Sequence, residues 1–244
     1  MANSGELKMV IINKQHQGAT VQMRKTFETE IQQLKDEMLL LGSMVEQQIL
    51  GSVDALKKRD MDASHRIQET DLQVNARRYA IEEQVMIVIA TQQPMAHDLR
   101  LLASILEVSG ELERMGDYAK GIATVSIRMA DQPLLKPLID IPRMAQKGVD
   151  MLHRALTAFV KEDVEASRLI PAEDDEVDEL YIQIYNELMM FVVQDPKTIE
   201  RANLLLWVAH NLERLADRVS NICERTVFTA TGEMKELEQS KIKR

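Results

Sequence analysis

Apolar residues recur along most of the chain at intervals of three and four, the period of a helix buried along one face. Residues 23–58 carry Phe27, Ile31, Leu34, Met38, Leu41, Val45, Ile49, Val53 and Leu56 in that register, close to a 3.5-residue repeat. Residues 61–91 do the same through Ile67, Val74, Ile81, Val85 and Val88. Pro94 suits the first turn of a third helix, where a missing N–H costs nothing, and that helix runs to about residue 129. Prolines at 133, 137 and 142 predict a linker. Three more helices follow over about 141–161, 163–194 and 196–230, and Pro171 predicts a kink in the fifth or marks its true start.

Three helices, a linker and three helices imply a duplication, and the sequence carries one. Met61-Asp-Ala-Ser64 matches Val164-Glu-Ala-Ser167, and Asp71-Leu-Gln-Val-Asn75 matches Asp174-Asp-Glu-Val-Asp178, both at an offset of 103. Pro94 matches Pro196 at 102, and Glu111-Leu-Glu-Arg-Met-Gly-Asp117 matches Asn211-Leu-Glu-Arg-Leu-Ala-Asp217 at 100. The expected fold is all-α: two tandem three-helix bundles related by a pseudo-two-fold axis. The expected boundaries are a mobile N-terminal tail over 1–20, a first bundle over 21–130, a linker over 131–141, a second bundle over 142–232 and a polar C-terminal tail over 233–244.

Composition agrees and narrows the function. Aromatic residues are 4% of the chain, with 9 glycines and 6 prolines in 244 residues, too few for the turns and strands of an all-β fold. A net charge of −9 argues against a nucleic-acid binder working through a positive field. The one cysteine, Cys223, excludes an internal disulfide and a cysteine-based zinc site, and reads as a buried inert thiol. The run Met9-Val10-Ile11-Ile12 is too short for a signal peptide, and runs 85–90 and 189–193 fall far short of the ~18–20 residues of a membrane span. The expectation is a cytoplasmic protein that meets a membrane only through a partner.

The most specific pattern is Leu-Glu-Arg-x-x-Asp, at 112–117 and 212–217. Glu113 and Asp117 are four apart, as are Glu213 and Asp217, so each pair shares a helix face and repels unless a cation intervenes. Helix two of each repeat offers a matching pair, Asp71 with Asn75 and Asp174 with Asp178. With helices two and three antiparallel neighbours, four oxygen-bearing side chains converge in each bundle, and hard oxygen donors suit Mg²⁺, Ca²⁺ or Mn²⁺, with iron or zinc also accepting carboxylates. Asn75 leaves the first set one carboxylate short, which makes it the weaker site. His210, three residues before Glu213, is a candidate extra ligand, and the plainer alternative is a solvated acidic face paired with Arg114, Arg214 or Arg218. There is no Glu-x-x-His of a di-iron bundle and no phosphate-binding glycine motif. The residues leave open a metal-dependent helical-bundle enzyme, a hydrolase or oxidase, and a metal-free scaffold.

Two three-helix repeats, each with a Glu-x-x-x-Asp pair inside Leu-Glu-Arg-x-x-Asp, resemble the PhoU family. The segments that carry the likeness are Gln93-Pro-Met-Ala-His-Asp-Leu-Arg-Leu-Leu102, Glu111 to Asp117, Asp174 to Asp178 and Leu212-Glu-Arg-Leu-Ala-Asp-Arg-Val-Ser-Asn-Ile-Cys-Glu224, within about residues 23–230. The resemblance implies a non-enzymatic, cytoplasmic negative regulator of phosphate uptake and of the phosphate-starvation response. Its implied partners are the ATPase subunit of the Pst phosphate ABC transporter, a PhoR-type sensor histidine kinase and a second copy of itself, with no nucleic acid and no direct membrane insertion. It also implies divalent or multinuclear metal ions (Mg, Mn, Fe or Zn) held through Asp71, Glu113, Asp117, Asp174, Asp178, Glu213 and Asp217, with Asn75 departing from the carboxylate pattern.

Overall fold

The computed structural model describes residues 4–129 and 132–237, with side chains from residue 24 onward. Among the described residues seven α-helices follow one another: α1 (Ser4–Lys58), α2 (Met61–Gln92), α3 (His97–Arg128), α4 (Asp140–Lys161), α5 (Val164–Leu169), α6 (Asp174–Gln194) and α7 (Ile199–Thr231). No strand occurs among the described residues. From residue 4 the segment read as a tail over 1–20 falls inside the bounds of α1. The linker is irregular over 132–139.

The apolar register read from the sequence is the core. Leu34, Met38, Leu41, Val45, Ile49, Val53 and Leu56 of α1 are buried, as are Val74, Ile81, Val85 and Val88 of α2. Cys223 is fully buried, and desolvation pushes its thiol up to about 12, so it is inert. Pro171 divides the fifth helical stretch: a 3-10 turn over Ile170–Glu173 separates α5 from α6. Pro94 is a correction, because α3 begins at His97 and the proline lies in the connecting loop. Gln93 ends α2 in the left-handed region, and a proline directly after such a cap cannot continue the helix.

The repeat is visible at its first turn in both halves. Arg59 and Glu162 both take positive φ, 58° and 54°. The next residues, Asp60 and Asp163, accept a hydrogen bond from the backbone N–H three residues on and cap α2 and α5. The bundles are α1–α2–α3 and α4–α5/α6–α7, and between them α1 packs on α4 and α3 on α7. Each helix at the seam therefore meets its own counterpart, as a two-fold relation requires. On that axis Arg218 Nε donates to Tyr118 Oη at 2.7 Å, and these two residues are themselves counterparts at an offset of 100. Nearby, Gly121 makes room for the indole of Trp207, because a Cβ there would lie 2.3 Å from the ring.

Candidate functional site

In each bundle helix two runs beside helix three, and the acidic residue one turn before the repeated valine points inward. Asp71 is 0% exposed and Asp174 5% exposed, each followed by a fully buried valine, Val74 and Val177. One turn further, Asn75 and Asp178 are partly exposed. From helix three come Glu113 and Asp117 in the first bundle and Glu213 and Asp217 in the second, toward the outer side of the same groove. Gly116 and Ala216 keep that contact close: a Cβ on Gly116 would lie 3.2 Å from Gln48 Oε1 and 3.3 Å from Val74 Cγ1.

The first cluster contains a cation of its own. Lys120 Nζ lies 2.7 Å from Asp71 Oδ2, and the Asn75 amide donates to the same oxygen at 3.4 Å. Asp71 Oδ1 and Asn75 Oδ1 are buried without a hydrogen bond. The bond to Asp71 raises the Lys120 pKa and keeps it charged. Asp117 lies exposed along its flank, yet desolvation at its carboxyl and then the charge of Asp71 push its pKa up, while Lys120 pulls it down.

The second cluster has four carboxylates, and among the described residues no lysine or arginine pairs with Asp174, Glu213 or Asp217. Asp174 is pushed up to about 8, chiefly by burial, then by the charges of Asp217, Asp178 and Glu213, and by a hydrogen bond shared with Asp217. Its Oδ1 is buried without a partner. Burial also raises Glu213, and Asp217 adds to this, while His210, with Nδ1 3.1 Å from Glu213 Oε2, offsets part of it. His210 thus stands at the rim of the cluster through Glu213.

The arginines named as the plainer alternative are engaged elsewhere. Arg114 and Arg218 both pair with Glu111, at 2.8 and 2.7 Å, and Arg214 and Arg218 lie over the Tyr118 ring. The second cluster offers hard oxygen donors, an orphaned buried oxygen, and burial with mutual repulsion strong enough to keep a proton on Asp174, so its chemistry fits a divalent cation. The first offers one carboxylate fewer, and its buried one is already neutralised. Among the described residues no three acidic, histidine or cysteine side chains stand in ligating positions, so a cation would have to draw the second-cluster carboxylates inward. A groove of about 640 Å³ opens elsewhere, at the α3–α7 seam, over Gly121, Val125, Leu204 and Trp207, and shares no residue with either cluster.

Lys120 was missed in the sequence. Its signal is a basic residue three places after Asp117, on the same helix face, where the second repeat has Ser220.

A family model described as the PhoU domain matches residues 38–125 and again 141–226, one match per bundle. The phosphate-specific transport system accessory protein PhoU of Escherichia coli K12 is 33% identical over 207 residues, covering 85% of this chain and 86% of that protein. The corresponding homologue of Clostridium acetobutylicum is 34% identical over 215 residues, 88% and 98% of the two chains. The crystal structure of PhoU from Pseudomonas aeruginosa is similar with a TM-score of 0.80 at 29% identity, covering 85% of this chain and all of that one. PhoU from Streptococcus pneumoniae, the phosphate transport system regulatory protein, gives 0.79 at 29% identity, covering 86% of this chain and all of that one.

Proposed function

The chain belongs to the PhoU family, and on that premise we propose that it is an accessory regulator of phosphate transport that restrains uptake and keeps the phosphate-starvation response off. It acts as an adaptor between the ATPase subunit of a phosphate ABC transporter and a PhoR-type sensor histidine kinase, as a homodimer on the cytoplasmic side of the membrane. The observation that carries this reading is the family match in both bundles, with relatives covered over most of their length. The absence, among the described residues, of a helix long and apolar enough to cross a membrane supports attachment through a partner. On this reading Asp174, Asp178, Glu213 and Asp217 would hold a divalent cation, and the chemistry it would supply there is neutralisation of negative charge. The family membership supports an accessory role, and no catalysis is assigned.

The test is made in phosphate-replete cells. Deleting the chain should switch on a phosphate-starvation reporter, and a tagged copy should silence it and recover the transporter ATPase and the sensor kinase. Light scattering of the purified chain should give twice 27.8 kDa. A reporter that stays silent in the deletion, with neither partner recovered, removes the proposal.

A further inference from the structure

We infer that Lys120 is the resident cation of the first carboxylate cluster, and that this chain admits a metal ion only at the second, where Ser220 stands in place of Lys120. The second half rests on the reading of the second cluster as a cation site given above.

The backbone does not distinguish the two clusters. Asp71 and Asp174 are buried alike, at 0% and 5% exposure, each before a fully buried valine, and charge couples them to Asp117 and Asp217, counterparts on helix three. The difference is charge. In the first, two carboxylates, Asp71 and Asp117, act on one ammonium, and Lys120 Nζ sits 2.7 Å from the more buried of them. A carboxylate that deep needs a counter-charge, and a lysine in direct contact supplies it at all times. A divalent ion reaching the free Oδ1 of Asp71 would meet an ammonium held 2.7 Å from the other oxygen of the same carboxylate, against like-charge repulsion.

In the second, Asp174 like Asp71 carries an unpartnered buried oxygen, but the charges acting on it come from Asp217, Asp178 and Glu213, all negative. The nearby cations are committed to other acids: Lys147 to Glu173 and Glu176, and Arg154 to Glu173. The neutral hydroxyl of Ser220 does not change the sign of the cluster. One bundle therefore carries its positive charge covalently, and the other takes it from solution.

The experiment uses the full chain, stripped with chelator and titrated with Mn²⁺, bound metal being read by the loss of the free-ion electron paramagnetic resonance signal. Wild type should bind Mn²⁺, and Asp217→Asn and Ser220→Lys should each weaken that binding by about tenfold or more, whereas Asp117→Asn should leave it within about twofold. Lys120→Ser should bind additional Mn²⁺, and adding Asp117→Asn to that variant should remove the gain. Lys120→Gln, which keeps the length and a donor for Asp71, should show the same gain if the serine variant fails to fold by circular dichroism. Wild-type binding that disappears in Asp117→Asn would mean the ammonium yields to the metal, and overturns the inference while leaving metal binding by the chain intact. A folded Lys120→Ser or Lys120→Gln variant with no extra Mn²⁺ also overturns it. A wild type that binds none while Lys120→Ser does bind overturns the second half, together with the reading beneath it.

Discussion

The two bundles bury an acidic residue at the same place and neutralise it by different means. Asp71 is met by Lys120 at 2.7 Å, whereas Asp174 is surrounded by further carboxylates and held up to about 8. The turns, caps, valines and helix packing around them correspond closely. Duplication thus repeats the backbone and its apolar core, because both are spread over many residues. The electrostatics of a buried site depend on one or two side chains, so exchanging one residue between 120 and 220 changes what a bundle requires from its surroundings.

The largest expected effect breaks that comparison through pH. A carboxyl raised from 3.8 to about 8 on folding contributes its full stability below about pH 4 and loses it as pH rises through about 8. Metal-free protein should therefore lose stability across that window relative to Asp174→Asn, with a slope of at most about 1.4 kcal/mol per pH unit. Urea midpoints at half-unit steps between pH 5 and 8 measure it. Parallel curves for the two proteins would remove the second cluster's claim to strain. Saturating Mn²⁺ should flatten the wild-type slope, because a bound divalent ion replaces the proton.

Next comes the opposite defect in the first bundle. Lys120→Ala leaves Asp71 buried without its counter-charge. Breaking a fully buried pair costs about 3–5 kcal/mol, and with the Lys120 side chain 42% exposed we expect about 2 kcal/mol. Adding Asp71→Asn should recover most of the loss in chemical denaturation. A double variant as unstable as Lys120→Ala alone would show that the lysine acts through packing of its stem.

Where the halves agree, equal effects are expected. Asp60→Ala and Asp163→Ala each remove a cap bond to the backbone, at 2.9 and 3.0 Å, and each should cost about 1 kcal/mol in thermal denaturation. Costs differing by more than about twofold would mean that the shared turn is not energetically shared.

The smallest effect concerns a contact between the start of α3 and the end of α4. His97 Nε2 lies 2.6 Å from Glu162 Oε2, and that bond raises the histidine pKa. By the register of Pro94 and Pro196, the counterpart of His97 is Ile199, and that of Glu162 is Arg59. The stability from this pair is full below about pH 6.5 and is lost as pH rises through the raised value. Both groups are partly exposed, so it should stay below about 1 kcal/mol. An NMR titration should place His97 above its ordinary value, and Glu162→Gln should bring it back.

The sequence alone determined what depends on local spacing. The three-and-four register named the buried residues of α1 and α2, Pro171 marked the break before α6, and the offsets of 100–103 gave the duplication and the carboxylate pairs within each helix. Periodicity works there because a helix fixes which side chains share a face. Pro94 was misplaced because its role turned on the left-handed Gln93 before it, which depends on how the chain reverses between packed helices. Contacts between helices were decided by the tertiary structure: Lys120 on Asp71, 49 residues apart, and Arg218 on Tyr118 and Glu111, 100 and 107 apart. Charge attraction acts over a few ångströms, and only the packing of α2 against α3 and of α3 against α7 sets which charges come that close.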